Sequence, residues 1–151
     1  MTPKGPLLES NAIARFVASH APAKNLLGGS FFEQAQVDSW CQWCSNEIEV
    51  PMCMVVYPIF GFLPPVRFSQ SKMHQTHTHI HTHSTHSTQN PKSMGKGKKD
   101  LQNSLKVLEN HLRSRSFVVG NSVTLADIVL VSALTYPMKM IFDAKQRKSF
   151  P

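Results

Sequence analysis

The stretch FVVGNSVTLADIVLV, residues 117–131, constrains the fold of this chain more than any other. It reads as a turn, a cap and then a helix that is apolar on nearly every side. Gly120 and Asn121 supply turn chemistry. Thr124 is a good N-cap, and Asp127 lies three residues on, where its carboxylate can reach back to the backbone N–H of the cap. Aspartate also suits the positive end of a helix dipole. Val123 and Ile128 occupy the two positions of a hydrophobic staple. Leu125, Ile128, Val129, Leu130, Val131, Ala133 and Leu134 then follow, with Asp127 the only charge among them. A helix this apolar needs other helices around it. The fold expected is all-α, with the rest of the chain supplying the cover.

Candidate covering elements can be read in order. A first helix starts at Glu9-Ser10, carries Ile13, Phe16 and Val17 on one face, and stops ahead of Pro22. Ser30 and Glu33 form a capping-box pattern for a second helix. That helix places Val37, Trp40, Cys41, Cys44 and Ile48 on one face. Pro51 is expected to kink or interrupt it, with residues 52–62 as a broken continuation. Helical order should return at Lys98 or Lys99, because Leu101, Leu105, Leu108 and Leu112 keep helical spacing. Pro137 should end or kink the central helix, and one more helix is expected from Asp143.

The intervening tract, residues 66–97, has a different composition. HQTHTHIHTHSTHSTQ is low in complexity and almost free of apolar residues, so it cannot bury enough surface to offset chain entropy and reads as disordered. It holds six of the eight histidines of the chain. His77, His79, His81 and His83 alternate, and alternate residues of an extended strand share a face. They are weak metal candidates, since Ser/Thr repeats offer little to orient a ligand. A simple-sequence tract, or unremoved intervening sequence, is the reading preferred.

Charge adds less than its total suggests. The net +7 comes from 16 Lys+Arg against 9 Asp+Glu, but Arg67, Lys72, Lys92, Lys96, Lys98 and Lys99 all lie in one acid-free segment. Without them the remainder is near neutral. No aromatic platform beyond Phe68 accompanies that segment, so direct nucleic-acid binding is not expected. Pro51, Pro58, Pro64 and Pro65 interrupt the best apolar run, so no membrane span is expected. The first residues lack a signal-peptide pattern, which makes the cytoplasm the expected location. Three cysteines, an odd number, then read as free thiols. Cys41 and Cys44 match C-x-x-C, but in mid-helix on an apolar face they read as buried structural residues.

Glu9-Ser10 leaves two readings open. An exposed helix N-terminus with a hydroxyl can hold a carboxylate through backbone N–H groups, or Ser10 can simply cap the helix. His20 and His111 read as surface or helix-end residues. No nucleophile–base set, phosphate loop or carboxylate pair is found, so no catalytic residue is assigned.

LLESNAIARFV followed by FVVGNSVTLADIVLV resembles the glutathione transferase superfamily. TPKGPLLESNAIARFVA, QVDSWCQWCSNEIEVP, VYPIFGFLPP, DLQNSLKVLENHLRSRSFVVGNSVTLADIVLVSAL and FDAKQRKSFP resemble, more finely, the gamma subunits of the translation elongation factor 1 complex. The resemblance implies a remnant of a thioredoxin-like half, its last strand and helix, at residues 1–22. It implies a transferase-type helical domain at 23–151, interrupted by the 66–97 tract. Glu9 and Ser10 fall on the pair that holds the glutamyl end of glutathione, and Thr124 and Asp127 on the cap of the central helix. The implied function is a non-catalytic scaffold that anchors the nucleotide-exchange subunit during protein synthesis. The alternative is a glutathione (or related thiol) S-transferase, with glutathione as ligand and no cofactor. Relative to that family the chain is expected to be truncated at both ends, lacking the segment with the thiol-activating residue. It is therefore expected to be of marginal stability.

Overall fold

Six α-helices supply most of the regular structure in residues 5–60, 62 and 91–148, which the computed structural model describes. They are α1 (Ser10–Ser19), α2 (Phe31–Cys44), α3 (Val50–Phe60), α4 (Pro91–Leu112), α5 (Leu125–Met140) and α6 (Ala144–Arg147). No strand occurs among the described residues. The strand expected ahead of α1 is represented there by a single bridge residue, Gly5.

The caps explain where the helices begin. At α2 the Ser30 hydroxyl accepts the Glu33 N–H at 3.2 Å. The Glu33 carboxylate bypasses the cap residue and takes the Gly29 N–H instead, at 2.7 Å. At α6 the box closes both ways: Asp143 accepts the Gln146 N–H at 2.7 Å, and the Gln146 carbonyl accepts the Asp143 N–H at 3.3 Å.

The core lies where α2, α4 and α5 meet. Val37, Cys41, Cys44 and Ile48 share one buried cluster with Leu101, Leu105 and Leu108 of α4 and Leu125, Ala126, Leu130 and Ala133 of α5. Val118, Val119 and Phe142 complete it. Each large aliphatic so buried contributes roughly 1.5–3 kcal/mol relative to exposure. Among these positions the two stripes read from sequence, Val37 to Ile48 and Leu101 to Leu108, are where they were expected.

The two prolines differ in their effect. Beside Pro51 the α-helical bonding is interrupted, as expected, but the chain stays helical. A π-turn at Ser45–Glu49 carries the chain from α2 into α3, and the Val50 N–H reaches back to the Ser45 carbonyl. The wider turn next to Pro51 accommodates a ring that has no N–H to give. Pro137, by contrast, does not end α5, which continues to Met140. Its ring is fully buried, so packing compensates for the missing bond. The Pro137 carbonyl then accepts the Ile141 and Phe142 N–H groups at 2.9 and 3.3 Å, and the helix stops there.

α4 begins earlier than expected, at Pro91 rather than Lys98. The end of the 66–97 tract, residues 91–97, is therefore helical. Its physical reason is Gly97, which is buried where α4 crosses α3. A Cβ there would stand 2.9 Å from the Pro51 carbonyl oxygen and 3.0 Å from the Met54 Cβ, so only glycine allows the approach.

Cover is incomplete on two helices. Ile128, Val131 and Tyr136 of α5 are exposed, and so is Val123, which leaves the expected staple open to solvent. On α1 the expected inward face, Ile13, Phe16 and Val17, is exposed, and only Ala18 is buried. Polar contacts hold α1 instead: the Asn11 amide donates to the Ser45 hydroxyl at 2.9 Å, and Arg15 pairs with Asp38. No helix among the described residues is long and apolar enough to cross a membrane.

Candidate functional site

Two places carry the residues singled out by sequence, the start of α1 and the start of α5. At α1, Glu9 occupies the N-cap position with φ 68° and ψ 123°, a left-handed backbone that costs a non-glycine residue energy. Its carbonyl accepts the Ile13 N–H at 2.9 Å, and its side chain makes no cap bond. Ser10 is the first helical residue, so it does not serve as the cap. Glu9 and Ser10 are both exposed. Beside them the Asn11 amide is turned inward to Ser45 on the π-turn.

At α5, one carboxylate organises the junction. Asp127 Oδ2 accepts the Thr124 N–H at 2.8 Å and the Thr124 hydroxyl at 2.9 Å. Its Oδ1 accepts the Val118 N–H at 2.8 Å. The first amide of the helix, Leu125 N–H, donates to the Leu26 carbonyl at 2.7 Å. The linker that supplies Leu26 is itself shaped by Gly28 (φ 93°), whose missing Cβ would fall 2.7 Å from the Glu33 Cβ. Asp127 therefore ties the Val118 loop to the start of α5, and Leu125 adds the Leu26 segment to the same junction.

His111 belongs to the same junction, although sequence gave it only a helix-end role. Arginine has donors only, so the His111 Nδ1 that receives Arg115 Nη1 at 2.8 Å acts as acceptor. Nε2 then carries the proton and donates to the Val118 carbonyl at 2.8 Å. The imidazole also lies against Trp40, with ring centroids 4.4 Å apart. Val118 is thus held at both backbone groups, by His111 and Asp127. No spacing rule signals this, because it requires the chain to fold back after α4. A cleft of about 480 Å³ opens beside it, lined among others by Gln36, His111, Ser114, Arg115, Ser116 and Asn121.

The C-x-x-C thiols, Cys41 and Cys44, are unsuited to nucleophilic work. Burial, with Asp38 nearby, pushes the Cys41 thiol up to about 11. Burial, with Glu49 nearby, pushes Cys44 up to about 12. Among the described residues no group of three or more His, Cys, Asp or Glu could hold a metal ion. His77, His79, His81 and His83 lie outside the described residues.

Residues 68–151 match the family model for the glutathione S-transferase C-terminal domain. The chain belongs to this family. Within it, the chain is similar along nearly its whole length to curated proteins named elongation factor 1-gamma. It is 32% identical over 150 residues to a probable elongation factor 1-gamma 2 of Arabidopsis thaliana, covering 99% of this chain and 30% of that relative. It is 30% identical over 144 residues to elongation factor 1-gamma of Artemia salina, covering 95% and 27%. The chain thus spans about a third or less of the length of these relatives. The transferase-type fold recurs among solved structures. The GST-like domain of elongation factor 1-gamma from Saccharomyces cerevisiae superposes with a TM-score of 0.71 at 19% identity, over 100% of this chain and 61% of that one. Glutathione transferase F2 from Populus trichocarpa gives 0.72 at 19% identity, over 100% and 62%.

Proposed function

We propose that this chain is a non-catalytic scaffold module of translation elongation, anchoring a nucleotide-exchange subunit in the cytoplasm as part of an elongation factor 1 complex. The observation that carries this reading is the match to elongation factor 1-gamma proteins, which runs through 99% of the chain rather than through one motif. The chemistry supports it. Cys41 and Cys44 are buried with raised pKa values, and the polar residues at the start of α5 are used up in holding backbone together. In this reading residues 1–22 are the end of a thioredoxin-like half and residues 23–151 the helical domain. Thr124 and Asp127 serve folding.

The test is capture of the exchange subunit by immobilised full-length chain. Retention that survives moderate salt is expected. Failure of a folded chain to retain that subunit would overturn the proposal.

One observation favours a second reading, a glutathione-dependent transferase. Glu9 is held in a left-handed conformation directly before the exposed Ser10. In that reading Glu9 and Ser10 hold the glutamyl end of glutathione as a ligand, and the strain at Glu9 orients its groups toward it. Retention on immobilised glutathione together with conjugation of a chloronitrobenzene would establish it; absence of both removes it.

A further inference from the structure

The loop between α4 and α5 carries a run the scaffold reading does not use, Arg113-Ser114-Arg115-Ser116. Ser116 is the one serine or threonine in the 151 residues with an arginine three positions before it, and a second arginine directly precedes it. α4 ends at Leu112 and α5 starts at Leu125, so the run lies in irregular chain. All four residues are exposed. The loop is pinned at its edges, by Arg115 N–H to the Leu112 carbonyl at 3.0 Å and by both backbone groups of Val118. Between these anchors the Ser116 hydroxyl makes no hydrogen bond to any described residue.

We propose that Ser116 is a phosphoacceptor for a basophilic Ser/Thr protein kinase. Kinases choose substrates by charge pattern, and arginines at −3 and −1 complement an acid-lined peptide groove. In the transfer, Ser116 Oγ attacks the γ-phosphorus of Mg-ATP. The Oγ–P bond forms as the bond from that phosphorus to the oxygen of the leaving ADP breaks, and the hydroxyl proton passes to the carboxylate base of the kinase. No oxidant or reductant is needed.

The cleft gives the product somewhere to go. A phosphoserine brings about −1.5 to −2 charges and three strong acceptor oxygens. The Arg115 guanidinium now has a ring nitrogen of His111 as its acceptor rather than a carboxylate. A phosphate two-pronged toward arginine is the stronger acceptor. Arg115 therefore leaves His111 for the phosphate, and the loop tightens over the cleft it lines with Gln36 and Asn121.

The experiment uses the full chain, native, with Mg-ATP and a kinase that requires arginine at −3, read by intact-mass and peptide mass spectrometry. A single phosphate at Ser116 is expected. It should disappear in Ser116→Ala, fall about tenfold or more in Arg113→Gln as the charge pattern is broken, and persist in Ser114→Ala. No incorporation into the native chain, or incorporation at another residue, would overturn the assignment. A second readout follows the His111 ring resonances. They should shift on phosphorylation of the parent chain, and resonances that stay in place would overturn the movement of Arg115.

Discussion

Replacing Asp127 by alanine should be among the more damaging single changes open to this chain, although it touches no reacting group. Three hydrogen bonds end on that carboxylate, from Thr124 N–H, the Thr124 hydroxyl and Val118 N–H. Loss of the cap interaction alone costs about 1 kcal/mol. The stranded Val118 amide, part-buried in the junction, costs ~1–3 kcal/mol more. Removing negative charge from the first helical turn takes away about 0.3–1 kcal/mol. The three losses share one side chain and do not add in full, so the sum expected is about 3 kcal/mol. Asp127→Asn keeps one carbonyl acceptor and should lose about 2 kcal/mol. Urea unfolding followed by far-UV circular dichroism gives the totals, and amide exchange gives the location. Val118 and Thr124 should lose protection first. A cost for Asp127→Ala below about 1 kcal/mol, the worth of an ordinary cap, would refute the idea that one carboxylate joins the loop to the helix.

Other outcomes can be checked. Gly97→Ala should destabilise by about 1–3 kcal/mol, because its Cβ meets backbone at 2.9 Å, despite the better helix propensity of alanine. In the same helix Gly95→Ala meets open space and should stabilise by about 0.5–1 kcal/mol; denaturation midpoints moving the same way in both would contradict this. Cys41 and Cys44 should resist alkylation in the native chain near neutral pH and react on unfolding, since their thiols are raised to about 11 and about 12. The folded state keeps those protons while the unfolded thiols lose them, so this contribution to stability is whole below about pH 9 and declines as pH rises from there toward 12. Stability that grew across that range in a native chain, against its Cys→Ser variants, would reverse the sign. Finally, Leu8, Val17, Phe31 and Phe32 are exposed, with Phe31 92% accessible. Concentration-dependent association and binding of an apolar dye are expected. A monomer at all concentrations with no dye binding would contradict that.

The sequence was most legible where structure is local. Ser30 with Glu33 and Thr124 with Asp127 mark helix starts because capping is decided within four residues. The stripes at Val37–Ile48 and Leu101–Leu108 are legible because burial has a helical period. Pro51 sits at an interruption as read from sequence, but neither its form as a π-turn nor the run of α5 past Pro137 could be read, for a tertiary reason. A π-turn and a fully buried ring compensate, and neither has a local signature. The polar, lysine-rich start of α4 hid a helix, since the fit of Gly97 against Pro51 is visible only once α3 is beside it. The candidate site was half legible. Glu9 and Ser10 could be named from their neighbours, but the left-handed backbone at Glu9 could not, because glutamate rarely adopts it. His111 went unrecognised because its two hydrogen-bond partners, the Val118 carbonyl and the Arg115 guanidinium, arrive from later chain.

The tilted contact of His111 with Trp40 makes the chain its own optical probe. Trp43 adds a second indole 5.1 Å from Trp40, edge toward face. Indole emission is sensitive to an imidazole in contact with the ring, and two indoles this close couple in the near-ultraviolet. Anything that moves Arg115 or the Val118 carbonyl displaces a partner of His111, and is expected to change light coming from Trp40. Events at that loop can therefore be followed in the unlabelled protein.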